Sequence, residues 1–303
     1  MTDRFRKALT LFDDYREMMA DRVRLDAYAR AIEATVREGD VVVDLGAGLG
    51  ILSLLAARAG ARKVYAIEKG DAARLAARVV EQNGLAGRIE VIEATSRDVE
   101  LDAPADVLVS ETLGSFGIEE NTLAFTIDAR DRLLAPGGRM VPCAIECFLA
   151  PVELPEEHEA ASFWADVRGF DFSAARDEML SRMRVANVAP ERLVARPQRS
   201  ARFDLATTTE PGLAVRHLFP IERPGVIHGL AGWFAVELAD GVSIDTAPGS
   251  APTHWRQAYF PYREAVRVVA GDLLEVKLRL APRDARSDDT AVAYEFRCTQ
   301  RDA

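Results

Sequence analysis

Asp44-Leu-Gly46-Ala-Gly48-Leu-Gly50 is the sharpest local pattern in the chain. Glycines let a backbone turn tightly and approach a bound molecule with no Cβ in the way. The spacing is G-x-G-x-G and continues into Ile51 and Leu52, so the third glycine of a dinucleotide fingerprint is missing. No Gly-Lys-Ser/Thr follows, which removes the phosphate-gripping P-loop as a reading. Glu68 lies 24 residues beyond Asp44, at the end of the run Lys63 to Ile67. A carboxylate at that place can accept hydrogen bonds from both hydroxyls of a ribose. A close-approach loop with no phosphate to hold, followed by a ribose-binding acid, fits S-adenosylmethionine (SAM). SAM is therefore the expected cofactor, with Asp44, Gly46, Gly48, Gly50 and Glu68 around it.

These residues need elements to hold them. Residues 5–38 show apolar positions at three- and four-residue intervals and predict a helical segment ending near Gly39-Asp40. Val41-Val42-Val43 is a short β-branched run of the kind that forms a buried parallel strand. Helices are expected over 51–59, 71–83 and about 120–134, with strands at Lys63 to Ile67, Ile89 to Ile92 and Asp106 to Val109. Ala135-Pro-Gly-Gly138 reads as a turn. The alternation of strand and helix implies an α/β, doubly wound, Rossmann-like domain over 39–142. Beyond about residue 195, short alternating runs predict antiparallel strands in a β-barrel or sandwich. This second domain is expected over 143–303, with a mostly helical insertion at about 156–193.

The bulk numbers narrow the function. With 38 Lys and Arg against 48 Asp and Glu, the formal charge is −10. That disfavours nucleic-acid binding, which needs a basic face, and suits a cationic substrate. Three cysteines, none in a C-x-x-C pair, and four histidines argue against a structural metal site and for a reducing compartment. The first residues are charged and no run of 18 apolar residues occurs, so the expectation is a cytoplasmic protein with no membrane span.

The stretch from Asp44 to Ser53, with Ala56 to Glu68, resembles the SAM-binding core of the protein arginine N-methyltransferases. Three further places resemble that family specifically. Ser110-Glu111-Thr-Leu-Gly-Ser-Phe-Gly-Ile-Glu-Glu120 is similar to its double-glutamate loop, in which two carboxylates flank a substrate guanidinium. The matching positions are Glu111 and Glu120. A carboxylate takes the planar guanidinium fork bidentately, and two of them hold its charge on the non-reacting nitrogens. Glu119 reads instead as a solvated acid at a helix start. Pro252-Thr253-His254-Trp255 is similar to the family's Thr-His-Trp loop, which implies that His254 partners Asp21, as proton relay or as a pin on the N-terminal helix. Phe163-Trp164 through Phe172-Ser173 looks like the start of a helical dimerisation arm, which implies a homodimer.

The same matching puts Arg24 on the SAM carboxylate, adds Ile51, Leu52, Ser96 and Glu111 to the cofactor site, and places Met18 and Trp255 at the substrate. Leu113-Gly-Ser-Phe116 resembles the symmetric-dimethylating branch of the family, and Leu11-Phe12-Asp-Asp-Tyr15 stands where the family has a segment that covers SAM. The resemblance implies N-methylation of arginine in proteins or peptides. Methylation of free arginine or another small guanidine or amine, and a non-catalytic SAM-binding role, stay open at this point.

Overall fold

The computed structural model of the chain describes residues 3–284 and 290–299. The outermost ends of the expected domains, residues 1–2 and 300–303, lie outside them. The chain opens with two helices, α1 (Asp3–Ala20) and α2 (Arg22–Thr35), where the sequence predicts a single helical run. The break is Asp21. Its backbone is extended, and its carboxylate accepts from the Arg24 N–H at 3.0 Å, so it caps α2 instead of continuing α1.

The first domain alternates as expected: β1 (Val41–Leu45), α3 (Ile51–Arg58), β2 (Lys63–Glu68), α4 (Ala72–Gln82), β3 (Ile89–Glu93), β4 (Ala105–Ser110), α5 (Thr122–Leu133) and β5 (Leu134–Val141). The five strands are parallel, in the order β3-β2-β1-β4-β5. Every residue of β1 is buried, because helices cover both faces. The order reverses between β1 and β4. At such a switch point the loops at the strand ends diverge and leave a crevice. The Ala135–Gly138 turn lies inside β5 as a bulge: Ala105 pairs with Leu134, but Val107 pairs with Arg139, and Gly137 sits at φ +75° to make the detour.

The second half begins with β6 (Ala144–Val152), which the alternation rule misses because both of its faces are largely covered. The insertion then contains α6 (Pro155–Ser162) and α7 (Ser173–Leu180), but it is not helical to residue 193. Arg184–Ala186 forms β7, an edge strand paired with Gln257 to Tyr259. Next come β8 (Gln198–Asp204), β9 (Leu213–Pro220), β10 (Gly225–Ala239), β11 (Val242–Asp245), β12 (Gln257–Val268), β13 (Leu273–Pro282) and β14 (Thr290–Thr299). They form two antiparallel sheets, β7-β12-β10-β6-β8 with β11 on β10, and β14-β13-β9. No closed barrel forms among the described strands. One apolar core runs through both halves, with Phe116 of the first packed edge-on against Phe260 of the second at 5.5 Å.

Candidate active site

The site grows from the ends of β1 and β4. Gly46 and Gly48 follow β1 with φ of +72° and +54°. A Cβ on Gly46 would stand 2.8 Å from the Thr112 methyl, and one on Gly48 would stand 3.0 Å from the Tyr15 ring, so the loop has no room for side chains. Glu68, at the end of β2, accepts from the N–H of Gly48 at 3.0 Å and of Gly70 at 2.7 Å. This fixes the carboxylate beside the glycine loop.

Helix α2 reaches across to β4. Tyr28 is fully buried and donates to the carbonyl of Ser110 at 3.1 Å. Arg24 lies one turn earlier on the same helix face. Its Nε donates to Glu111 Oε2 at 2.6 Å, a second nitrogen pairs with the same carboxylate, and Nη1 donates to the Met18 carbonyl at 3.1 Å. Both charged side chains are about 7% exposed. Glu111 is thereby held at the strand end with a fixed orientation.

The loop between Glu111 and Glu120 is braced from the second domain. Trp255 donates its indole N–H to the Leu113 carbonyl at 2.7 Å, and Ser115 donates to the Trp255 carbonyl at 2.7 Å. Between these walls lies a cavity of about 240 Å³. Of the residues expected from the sequence, Gly46, Glu68, Ser96, Glu111 and Glu120 line it. Burial raises the Glu120 carboxyl above its usual range, Glu111 adds to this by like charge, and Lys69 opposes it.

Other expected residues stand behind the wall. Asp44 is buried; burial, with Glu68 and Glu111 adding, pushes it up to about 6 despite a 2.6 Å hydrogen bond from Ser53. Its second oxygen has no hydrogen-bond partner. Leu52 belongs to the core, Ile51 packs against it, and Gly50 turns into α3. Trp255 is only 3% exposed and does not reach the cavity.

Asp21 and His254 do come together. His254 donates from its backbone N–H and pairs through Nδ1 with Asp21 Oδ2, both at 2.9 Å. Burial pushes the Asp21 carboxyl up, but the hydrogen bonds from Arg24 and His254 outweigh it and hold the group below its usual value. Neither residue lines the cavity. The pair ties the α1–α2 corner to the loop before β12.

Three positions outside the expected set also belong to the site. Tyr15 covers the glycine loop from α1, and its hydroxyl is pushed up to about 12 by burial and by the Glu68 charge. Phe125 and Lys69 complete the cavity wall, with the ammonium 5.8 Å from the ring. Tyr15 was visible in the covering segment; Phe125 had no signal, since one aromatic on an amphipathic helix reads as core. Glu119 departs from its reading as a solvated acid. Its carboxyl is buried in the loop, accepts from the Phe116 N–H at 2.9 Å, and is pushed up to about 7 by burial.

These residues fit SAM. A loop with no room for Cβ atoms, and the carboxylates Glu68 and Glu111 on the cavity wall with Asp44 behind it, suit a ligand carrying sulfonium and ammonium charges.

Comparison with known proteins agrees. Residues 145–300 match the family model described as the arginine methyltransferase oligomerization subdomain, and residues 14–123 match a TRM5/TYW2 methyltransferase domain. The chain is 34% identical to protein arginine N-methyltransferase 6 of Danio rerio, covering 97% of this chain and 90% of that protein. It is 31% identical to protein arginine N-methyltransferase 1 of Chlamydomonas reinhardtii, covering 94% and 86%. Among solved structures, the Trypanosoma brucei PRMT1 enzyme–prozyme heterotetrameric complex with AdoHcy superposes with a TM-score of 0.83 at 27% identity, covering 93% of this chain and 92% of that one. Arabidopsis thaliana protein arginine methyltransferase 10, described in a uniquely open conformation, gives 0.79 at 27% identity, covering 94% and 93%. The chain belongs to the protein arginine N-methyltransferase family and is a SAM-dependent methyltransferase.

Proposed function

We propose that the chain methylates a guanidino nitrogen of arginine in proteins or peptides, with Glu111 and Glu120 as the clamp on the guanidinium. The observation that carries this reading is the placement of both carboxylates on one cavity at the switch point of the parallel sheet. When bound, SAM supplies an electrophilic methyl group on a sulfonium sulfur that leaves as a neutral thioether. Glu68 would hold its ribose, and Arg24, paired with Glu111 behind the cavity wall, would draw its carboxylate. The glycine loop and Ser96 would complete its cradle, with Asp44 buried behind it.

Glu111 is positioned by Arg24 and takes the guanidinium fork from one side. Glu120 takes it from the other. Its raised carboxyl makes it the better proton acceptor of the two clamp carboxylates, since Glu111 is engaged in its ion pair with Arg24. A guanidinium holds its proton up to about pH 12.5–13.8 in water, so the proton leaves with or after methyl transfer and not before it. Asp21 and His254 act by pinning the α1–α2 corner, because neither touches the cavity. Met18 lends its carbonyl to Arg24, and Trp255 holds the clamp loop.

Residues 1–38 form the covering segment, 39–142 the SAM-binding unit and 143–303 the substrate-side unit; the parallel sheet ends at Val141 and the first antiparallel strand begins at Ala144. The assembly is a homodimer built on the arm, a reading supported by the match to an oligomerization subdomain. The free thiols of Cys143, Cys147 and Cys298 support a cytoplasmic location. Among the described residues no helix is long and apolar enough to cross a membrane.

A transfer assay with methyl-labelled SAM tests this function. It compares arginine-containing peptides, free arginine and a protein extract freed of small molecules. Methylarginine in peptide or protein is the expected product, identified by fragment ions. Label confined to small molecules would contradict the reading.

A further inference from the structure

A second, larger cavity of about 530 Å³ adjoins the catalytic one. Lys69, Glu120 and Phe125 are common to both. The rest of its wall comes from Glu119, from Arg182 just beyond α7, and from Arg283 and Thr290 at the two sides of the β13–β14 hairpin. The hairpin is fastened to the clamp. The Asn121 N–H donates to Thr290 Oγ1 at 3.2 Å, and that hydroxyl donates to Asn121 Oδ1 at 2.9 Å. Asn121 directly follows Glu120, and Thr290 pairs with Pro282, so Arg283 follows a strand end in fixed register and lines the same cavity as Glu120.

Three cationic side chains thus stand around the opening of a site whose floor is acidic, in a chain of net charge −10. Lys69 is close enough to Glu120 to pull its carboxyl down against burial. Arg182 is exposed and pairs with the exposed Glu178, its Nε 2.9 Å from Glu178 Oε1, a contact that solvent screens. A substrate whose guanidinium reaches Glu111 and Glu120 and whose remaining atoms leave by this second cavity passes them by these three side chains. Further positive charge there is repelled and negative charge is attracted.

We infer that the opening selects arginine that carries a carboxylate beside it, an inference that rests on Glu111 and Glu120 being the guanidinium clamp. The carboxylate has two sources, an acidic neighbour in a peptide or the arginine's own α-carboxylate. The test uses the whole protein and three peptides of equal length, each with one internal arginine flanked by Gly, by Glu or by Lys. A fourth arm compares a C-terminal arginine as free acid and as amide, with free arginine alongside. The expected order of kcat/KM is Glu-flanked above Gly-flanked above Lys-flanked. The first step is about tenfold, the order of one to two screened charge contacts. The ratio shrinks as salt is added. In an R182E/R283E double variant the ratio of Glu-flanked to Gly-flanked rates inverts, and because it is a ratio it is insensitive to a general loss of active enzyme. A free acid outrunning its amide assigns the α-carboxylate as the source; a preference confined to the internal Glu peptide assigns the side chain. Equal rates, a Lys-flanked preference, or a ratio unmoved in the double variant overturns the inference while leaving the clamp intact. Absence of label in every arm removes the clamp reading itself, and the inference with it.

Discussion

At the scale of single residues, charge is held in this site by burial and paired geometry. Arg24 is the clearest case: it is a buried cation whose guanidinium is satisfied by Glu111 and by a main-chain carbonyl. Removing one partner of such a pair leaves the other buried and uncompensated, which costs about 3–5 kcal/mol. Arg24→Ala is therefore expected to lower stability by that order, visible as a shift in the urea midpoint; an unshifted midpoint would remove the pair from the account. Glu119 makes a different prediction. Its carboxyl is pushed up to about 7 by burial, from about 4.3 in an unfolded chain. Between those values the folded chain keeps a proton that the unfolded chain has released, so stability falls as pH rises through that window, by roughly 4 kcal/mol at about 1.36 kcal/mol per unit. Glu119→Gln keeps an acceptor for the Phe116 N–H and carries no titrating proton. The difference in stability between variant and parent should grow from pH 5 to pH 8 in the variant's favour. Asp44 also titrates near this range, so the difference between the two proteins is what decides, and parallel pH profiles would contradict the assignment.

At the scale of elements, the covering helices are held by few contacts with large consequences. Asp21 caps α2 and receives both N–H groups of His254, so one carboxylate joins a helix start to a loop from the other domain. Asp21→Ala loses a cap worth about 1 kcal/mol. It should also raise amide exchange in α1 and α2 and weaken SAM binding, because Tyr15 and Arg24 are carried by these helices; exchange confined to the parent's rate would show that the corner is held by other contacts. The same residue shows how much was legible in the sequence. Strands β1 to β4 were readable because apolar runs alternate with amphipathic helices. Asp21 as a helix break was not, since the apolar spacing runs on through it and hides the cap it makes on the Arg24 N–H. Strand β6 was hidden because burial on both faces erases the alternation that marks a half-exposed strand. The Arg184–Ala186 strand was hidden because its pairing with β12 comes from tertiary contact and not from local pattern. In the site, Glu111 was legible from its strand-end position and Glu120 from the resemblance of the loop to the family's double-glutamate loop, whereas the burial of Glu119 depends on a loop conformation that neither reveals.

At the scale of the whole molecule, the arm exposes aromatic surface that a monomer has little reason to keep. Phe163 and Phe170 are 62% and 70% exposed, and Trp164 packs edge-on against Phe163 at 5.3 Å. Large exposed apolar groups in one place mark an interaction face. If the proposed homodimer is built on this face, replacing Phe163 and Phe170 by Ser converts dimer to monomer in sedimentation equilibrium, with the fold kept; a parent that is monomeric, or a dimer that persists in the variant, would contradict the proposal. The two halves of the chain contribute unequally to chemistry. The parallel-sheet half supplies both carboxylates of the proposed clamp and the glycine loop, and the antiparallel half braces the loop between them through Trp255 and fastens its end through Thr290. The clamp is the central claim, and Glu111→Gln tests it most directly. Methyl transfer from labelled SAM to an arginine peptide is followed alongside SAM binding by calorimetry. The account predicts that kcat falls at least about 100-fold, the usual cost of losing a group that stabilises charge in the transition state, while SAM still binds. Turnover near that of the parent, with SAM bound, would contradict it.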